Sequence, residues 1–211
     1  MSTYIDPRHP NKHGDYKDCP ELVVRYLYDS ETIRGLSPRT VNGYYIDLRT
    51  FFRFLMQADV PPDEIDIRRV DLDTIKSVTT SDIYEFLHYV TRERDNAPAT
   101  RARKLSSLKG FYKYLCNKMK VLEINPTDDV ETPALKKRLP KYLSLNEGVE
   151  LLKNVQSDFY ERDYCILTLF LNCGMRLSEL VNINITDIHD DGTIRIVGKG
   201  NKERLVYLND A

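Results

Sequence analysis

The sequence contains no run of apolar residues that approaches the roughly 18 residues of a membrane-spanning helix. Its first twenty residues, MSTYIDPRHPNKHGDYKDCP, are polar and lack the apolar core of an export signal. The four cysteines are scattered, with no CxxC pair and no histidine cluster beside them, which argues against a zinc site. These absences predict a cytoplasmic protein whose cysteines are small apolar fillers, with Cys165 and Cys173 on one buried helix.

A Walker-type phosphate loop is absent as well, because the pattern G-x-x-x-x-G-K-[ST] does not occur. The 211 residues are 41% hydrophobic and 30% charged, which is ordinary for a globular protein and enough for two small domains. The formal net charge of −1 hides a local excess of positive charge. Residues 100–141 contain eleven lysines and arginines against four acidic residues, and such a stretch can dock on phosphates.

The first half of the sequence has the pattern of a small helical domain. Apolar residues recur at three- and four-residue spacing in four segments before residue 120. Ser37 and Pro38 mark the start of the second segment, since serine caps a helix and proline suits its first position. The expected division of the chain is a flexible arm over residues 1–20, a helical domain over 21–126, a linker over 127–142 and a second domain over 143–211.

In the second half the periodicity changes from helical to alternating. Ser144 and Glu147 have the spacing of a capping box, and a nearly continuous apolar segment over 159–173 is typical of a core helix. Residues 193–197 and 204–208 alternate apolar and polar side chains on either side of GKGNKE, which predicts a β-hairpin. The second domain is therefore expected to be of the α+β class.

Two cationic residues of this domain, Arg176 and Lys199, lie at positions that a hydrophobic core does not require. Arg176 follows Gly174, a residue suited to the left-handed end of a helix, and opens a short helix whose backbone N–H groups favour an anion. An arginine grips two phosphate oxygens, and Glu179 lies three residues on, where it can orient the guanidinium. An ordinary ion pair on a helix face also explains this spacing. Lys199 lies between two glycines, which allow a large ligand to approach, although a solvated turn lysine has the same pattern.

Taken together, these segments resemble the tyrosine recombinase (phage integrase) family, in particular its Xer-type members. The matching stretches are LSLNEGVELL, NCGMRLSELVNINITDI and GTIRIVGKGNKERLVYL, between Leu143 and Leu208. The part from about Glu21 to Pro126 is similar, less specifically, to the family's N-terminal core-binding domain. The resemblance implies a mainly α fold, in which a four-helix SAM-like core-binding domain precedes a truncated α+β catalytic domain with a β-hairpin.

The resemblance also implies a DNA strand exchange that needs no metal ion or other cofactor. A tyrosine attacks the scissile phosphate and leaves a 3′-phosphotyrosyl bond and a free 5′-hydroxyl, so the phosphoester is stored covalently. Arg176 matches the first catalytic arginine, which stabilises charge on the non-bridging oxygens. Lys199 matches the hairpin lysine that protonates the leaving oxygen, and Glu179 matches a supporting position.

The sequence departs from the family pattern in its later motifs. The His-x-x-Arg box, a further His or Trp and the nucleophilic tyrosine are missing, and none of the fourteen tyrosines stands in the nucleophile's context. We therefore expect an N-terminal fragment that binds DNA and does not cleave it. The complete protein is expected to be an enzyme that works as a homo- or hetero-tetramer on two DNA duplexes.

In the first domain, the resemblance implies a clamp on duplex DNA whose helices face the major groove. The regions 37–49 and 99–113 match the positions that face DNA, and the lysines of the linker are expected to follow the phosphate backbone. The candidates for DNA contact are Arg39, Arg101, Lys104, Lys109, Lys113, Lys136 and Lys137, with Lys141 close to them in sequence.

Two other classes of function stay open. One is a non-catalytic DNA-binding module that occupies recombination sites, and the other is a helical interaction domain whose basic helix binds an acidic partner. The sequence does not identify the target site. Chromosome-dimer resolution and mobile-element integration use the same chemistry, so no residue separates them.

Overall fold

The computed structural model describes residues 16–57, 65–134, 139–198, 200 and 202–208. These residues belong to two compact units, and the division between them falls at residues 137 and 138, inside the segment for which the sequence predicts a linker. Unit 1 holds the helical half of the chain and unit 2 the mixed half, and each has a core of its own. No helix of the described residues has the length and apolar character needed to cross a membrane.

The described residues of unit 1 form five α-helices. The sequence predicts four of them and misses the six-residue helix α3, which buries a single side chain, Ile75. The first and fifth helices each run on into a π-helical turn, over Asp29–Ile33 and Leu115–Met119. The helices are α1 (Glu21–Tyr28), α2 (Pro38–Met56), α3 (Leu72–Ser77), α4 (Thr80–Arg92) and α5 (Pro98–Tyr114).

Hydrogen bonds at the helix starts explain why these segments begin where they do. The Ser37 hydroxyl accepts from the backbone N–H of Thr40, and Pro38 occupies the first position of α2, as the sequence predicts. At α4, Thr79 and Asp82 cap each other's backbone N–H groups.

The core of unit 1 is aromatic and joins α2 to the last two helices. The rings of Phe51 and Phe86 meet edge to face at 5.1 Å between centroids, and Phe52 meets Phe111 in the same way at 5.9 Å. All four side chains are fully buried. Edge-to-face contact is the favourable geometry for aromatic pairs, so these rings fix how the helices cross.

Two segments that the sequence places outside the helical domain pack onto its core. Residues 16–20 were expected to belong to a flexible arm, yet Tyr16 and Cys19 are buried, and the Tyr45 hydroxyl donates to Asp18 at 2.9 Å. That expectation is wrong for this stretch, because its apolar side chains complete the core; residues 1–15 lie outside the described residues. Within the predicted linker, Val130 is buried in the same core.

Unit 2 contains three α-helices, a short 3-10 helix over Ile185–Asp187 and one antiparallel β-hairpin in its described residues. The register pairs Ile194 with Val206 and Ile196 with Arg204, which puts both isoleucines on the buried face. The capping box of Ser144 and Glu147 is confirmed by reciprocal hydrogen bonds. The elements are α6 (Leu145–Lys153), α7 (Tyr160–Cys173), α8 (Leu177–Val181), β1 (Thr193–Val197) and β2 (Glu203–Tyr207).

Helix α7 differs from its prediction. Its apolar sequence predicts a buried core helix, but none of its side chains is fully buried and Cys165 is exposed. The core of unit 2 has just three buried apolar residues in the described part of the chain, Met175, Ile194 and Ile196. An apolar helix is buried only by the elements that pack on it, so apolar composition alone overestimated its burial.

Candidate functional site

The end of α7 and the start of α8 place Arg176 on the surface of unit 2. Gly174 ends α7 with φ +57°, the left-handed conformation that the sequence predicts for it. Arg176 then caps α8 in an extended conformation. Its Nη1 donates to Glu179 Oε1 at 2.6 Å, and its backbone N–H donates to Glu179 Oε2 at 3.0 Å. The carboxylate of Glu179 therefore orients both the backbone and the side chain of Arg176.

A second arginine, Arg204, reaches the same carboxylate from the hairpin. Its Nη2 donates to Glu179 Oε2 at 2.8 Å and its Nη1 to Oε1 at 3.1 Å. Arg204 is not among the site residues that the sequence predicts. The alternation of side chains along β2 is the sequence signal that could have identified it. Arg204 pairs with the buried Ile196 and therefore lies on the face of the hairpin that meets α8.

The two arginines differ from Glu179 in exposure. The Glu179 side chain is 2% exposed, whereas the side chains of Arg176 and Arg204 are 67% and 39% exposed. Hydrogen bonds from Arg204, and then from the backbone and side chain of Arg176, lower the pKa of Glu179 to about 2. The cluster therefore carries one buried negative charge and two positive charges that face solvent, which suits the binding of an anion.

The turn of the hairpin approaches this cluster at Gly198. A Cβ atom at that position would lie 3.2 Å from Glu179 Oε1 and 3.4 Å from the carbonyl oxygen of Lys202, so the absence of a side chain allows the close approach. Lys199, the predicted hairpin lysine, follows directly in sequence and lies outside the described residues. The described geometry brings Arg176, Glu179 and Arg204 together, with the residue before Lys199 beside them.

In unit 1, the structure corrects the placement of Lys104. The sequence predicts that it lies on the exposed basic side of α5, but it is 6% exposed and its Nζ lies 3.2 Å from Asp47 Oδ1. Asp47 is buried in α2 and also binds Arg103 Nη1 and the Ser107 hydroxyl. The buried carboxylate draws Lys104 inward, because a buried charge requires a partner of opposite sign.

The other candidates for DNA contact are placed as follows. Arg39, in the first turn of α2, and Lys113, near the end of α5, are exposed. Arg101 is half-buried and donates to the Thr91 hydroxyl at 2.8 Å, and Lys109 donates to the carbonyl oxygen of Val130 at 2.7 Å. Lys136 and Lys137 lie outside the described residues, and Lys141 is exposed.

Two family models match the chain in adjacent regions. The model of the phage integrase N-terminal SAM-like domain matches residues 25–120, and the model of the phage integrase family matches residues 141–211. The first match lies in unit 1 and the second in unit 2.

Curated relatives match nearly the whole chain. Tyrosine recombinase XerC of Caldanaerobacter subterraneus subsp. tengcongensis is 49% identical over 198 residues, which cover 91% of this chain and 56% of the relative. Tyrosine recombinase XerC of Myxococcus xanthus is 39% identical over 191 residues, which cover 89% of this chain and 59% of the relative. The chain thus spans less than two thirds of the length of these relatives.

Solved structures share the fold at lower identity. A lambda integrase tetramer bound to a Holliday junction matches with a TM-score of 0.63 at 16% identity, over 88% of this chain and 47% of that one. The Tn1549 transposon integrase in complex with circular intermediate DNA matches with a TM-score of 0.57 at 19% identity, over 89% and 61%. At such identities the likeness concerns the fold alone.

Proposed function

Because the chain belongs to the phage integrase family, we propose that it supplies the DNA-binding domain and part of the active site of a site-specific DNA recombinase of the Xer type. The single observation that carries this proposal is the cluster of Arg176 and Glu179 beside the hairpin turn. An arginine fixed by a buried carboxylate and open to solvent is suited to bind a phosphodiester.

In the proposed reaction, Arg176 donates to the non-bridging oxygens of the scissile phosphate. The attack of a tyrosine hydroxyl on this phosphate forms a 3′-phosphotyrosyl bond and releases a 5′-oxygen. The distribution of negative charge over the non-bridging oxygens changes as the transition state forms. Because Arg176 is already oriented as a donor, it can stabilise this charge without a rearrangement of its side chain. Glu179 holds Arg176 in place, and Arg204 holds Glu179 from the hairpin.

Lys199 is proposed to protonate the leaving 5′-oxygen. A lysine ammonium on a short turn is a compact and mobile proton donor, and Gly198 brings the turn up to the Arg176 cluster. The tyrosine nucleophile and the remaining catalytic groups are proposed to come from the part of the full-length recombinase that this chain does not span. Alone, the chain is expected to bind DNA without cutting it.

Unit 1 is proposed to hold duplex DNA through its exposed cations. Arg39 and Lys113 are the exposed candidates among the described residues, and Lys136 and Lys137 stay candidates from the sequence. We propose that the full-length protein acts as a homo- or hetero-tetramer on two recombination sites in the cytoplasm. A non-catalytic module that occupies such sites is the alternative, since the DNA-binding residues are the same in both.

The experiment that tests the proposed function uses a full-length recombinase that carries this chain. A nicked suicide duplex traps the covalent protein–DNA adduct. We expect the Lys199→Ala variant of this recombinase to form the adduct more slowly than the unmutated protein. Replacement of the leaving 5′-oxygen by sulfur is expected to restore the rate, since a thiolate leaves without a proton. Loss of the adduct with no rescue by sulfur removes the proton-donor role, and no adduct from the unmutated protein supports the non-catalytic module.

A further inference from the structure

Arg204 and Glu179 join the two elements that carry the proposed reacting cations. Glu179 lies on α8, which Arg176 caps. Arg204 lies on β2, and Lys199 stands between β1 and β2 in the sequence. Within the described residues, no other hydrogen bond or ion pair links the hairpin to α8. We propose that Arg204 is a positioning residue: it holds the hairpin turn against α8, so that Lys199 reaches the leaving oxygen of the phosphate bound by Arg176. The inference rests on the proposed function.

The contact between Arg204 and Glu179 fixes an orientation as well as a distance. Arg204 Nη2 lies 2.8 Å from Glu179 Oε2 and its Nη1 lies 3.1 Å from Oε1, so the guanidinium binds both carboxylate oxygens. A planar fork of this kind aligns the two groups, which a lysine ammonium does not do. Because Glu179 is buried, water competes little for these hydrogen bonds. Removal of Arg204 therefore leaves β2 able to shift against α8.

Backbone pairing in the hairpin connects Arg204 to the turn. Arg204 pairs with the buried Ile196, and at the end of the ladder the Gly198 N–H donates to the carbonyl oxygen of Lys202 at 2.7 Å. A Cβ atom on Gly198 would lie 3.2 Å from Glu179 Oε1 and 3.8 Å from Arg204 Nη1, so the turn lies against both partners of the contact. The residue that follows Gly198 in the sequence is the proposed proton donor. Its reach therefore depends on where this contact holds the turn.

Arg204 differs from Arg176 in how much of its guanidinium is available to a phosphate. Both terminal nitrogens of Arg204 donate to Glu179, and its side chain is the less exposed of the two. Within the described residues, Arg176 donates to Glu179 from Nη1 alone among its side-chain nitrogens. Arg176 is therefore the arginine suited to contact the phosphate, and Arg204 acts through the elements that it joins.

The test measures how fast a full-length recombinase that carries this chain forms the covalent adduct on two suicide duplexes. One duplex has the ordinary leaving 5′-oxygen, and the other has sulfur in its place, which leaves without a proton. Misplacement of a reacting group by about 1 Å costs about 100-fold in rate, so we expect Arg204→Gln to slow the reaction of the ordinary duplex by roughly that factor. On the sulfur duplex, we expect this variant to react as fast as the unmutated protein. Lys199→Ala is expected to show the same pattern.

Two further variants separate positioning from a general loss of charge or of fold. Arg195→Gln removes the other arginine of the hairpin, which binds Asp187 and not Glu179, and is expected to leave both rates unchanged. Gly198→Ala changes no charge, but its Cβ atom would press on Glu179 Oε1 and move the turn, so we expect a defect that sulfur restores. If Arg204→Gln does not fold, Gly198→Ala decides.

The outcomes separate this inference from the proposed function. If sulfur restores the rate of Lys199→Ala but not that of Arg204→Gln, the positioning role is overturned while the proposed function stands. The double variant Arg204→Gln/Lys199→Ala is expected to react no more slowly than Lys199→Ala alone, because both changes affect the same proton transfer. A rate that falls by the product of the two single effects overturns the inference, and so does an equal defect in Arg195→Gln. If sulfur restores neither single variant, the proton-donor role and the positioning of Lys199 fail together.

Discussion

Two buried carboxylates, one in each unit, are each shared by two cationic side chains, and only in unit 1 is one of those cations itself buried. In unit 1, Asp47 binds Lys104 and Arg103 and joins α2 to α5; the Lys104 side chain is 8% exposed. In unit 2, Glu179 binds Arg176 and Arg204 and joins α8 to β2, yet the Arg176 side chain is 67% exposed. A cation buried beside its carboxylate is committed to the fold, whereas an exposed cation held by a buried carboxylate remains able to bind a ligand.

The comparison predicts, first, that Asp47 matters for stability. We expect Asp47→Ala to destabilise unit 1 by about 3–5 kcal/mol, because it leaves the Lys104 ammonium buried without a counter-charge. Urea unfolding followed by circular dichroism measures the change. Glu85→Gln, which removes an exposed carboxylate on α4, is the matched control and should change little. Equal effects from both variants would show that Asp47 has no special role.

Second, Arg176→Ala should affect the reaction far more than DNA binding. Removal of a donor that stabilises transition-state charge typically costs about 100- to 1,000-fold in rate. In a full-length recombinase, we expect cleavage to fall by that factor while affinity for the recombination site changes only slightly. Arg162→Ala on α7, which also removes an exposed arginine paired with an acidic residue, is the control. A similar fall for both variants contradicts the assignment.

Third, the Glu179 cluster should respond to acid in a defined window. Because the pKa of Glu179 falls from its ordinary 4.5 to about 2 in the folded protein, its stabilising effect is fully present above pH 4.5 and is lost as the pH drops through about 2. A carboxyl ¹³C titration of the chain is expected to show that inflection. Arg204→Gln removes the largest cause of the shift and should move the inflection upward; an unmoved inflection argues against the contact.

Fourth, and smallest, an exposed and a buried cation of unit 1 should differ in how they contribute to DNA binding. Arg39→Gln is expected to reduce the slope of log K against log salt by about 0.9, the value for one lost phosphate contact. Lys104→Met should leave that slope unchanged, because the buried ammonium faces Asp47 and not solvent. A fluorescence-anisotropy titration with duplex DNA at several salt concentrations compares the two, and a reduced slope for Lys104→Met would reverse the distinction.

Much of the fold follows from local signals. The capping residues Ser37 and Ser144, the left-handed Gly174 and the alternation around the hairpin each act over a few residues, and each predicts the element that is observed. The prediction for α7 failed because burial depends on what packs against a helix, which its own sequence does not state.

Only the part of the candidate site that depends on local spacing was predicted from the sequence. Arg176 and Glu179 are three residues apart, so helical spacing brings them together. Arg204 is 25 residues from Glu179 and meets it only through the fold of the hairpin. Likewise, Lys104 looked like a surface cation because its partner Asp47 lies on another helix, 57 residues away in the chain. Hydrophobic periodicity along the sequence does not predict such contacts between segments that are distant in the chain.

The central claim is that Arg176 neutralises charge on the scissile phosphate, and a methylphosphonate at that position tests it most directly. This group replaces one charged non-bridging oxygen by a neutral methyl, so the phosphorus centre no longer needs the positive charge of Arg176. A full-length recombinase with Arg176→Ala is predicted to form the covalent tyrosyl adduct on the methylphosphonate duplex about as fast as the unmutated protein does. An equally large defect on the neutral and the charged duplex would contradict the account.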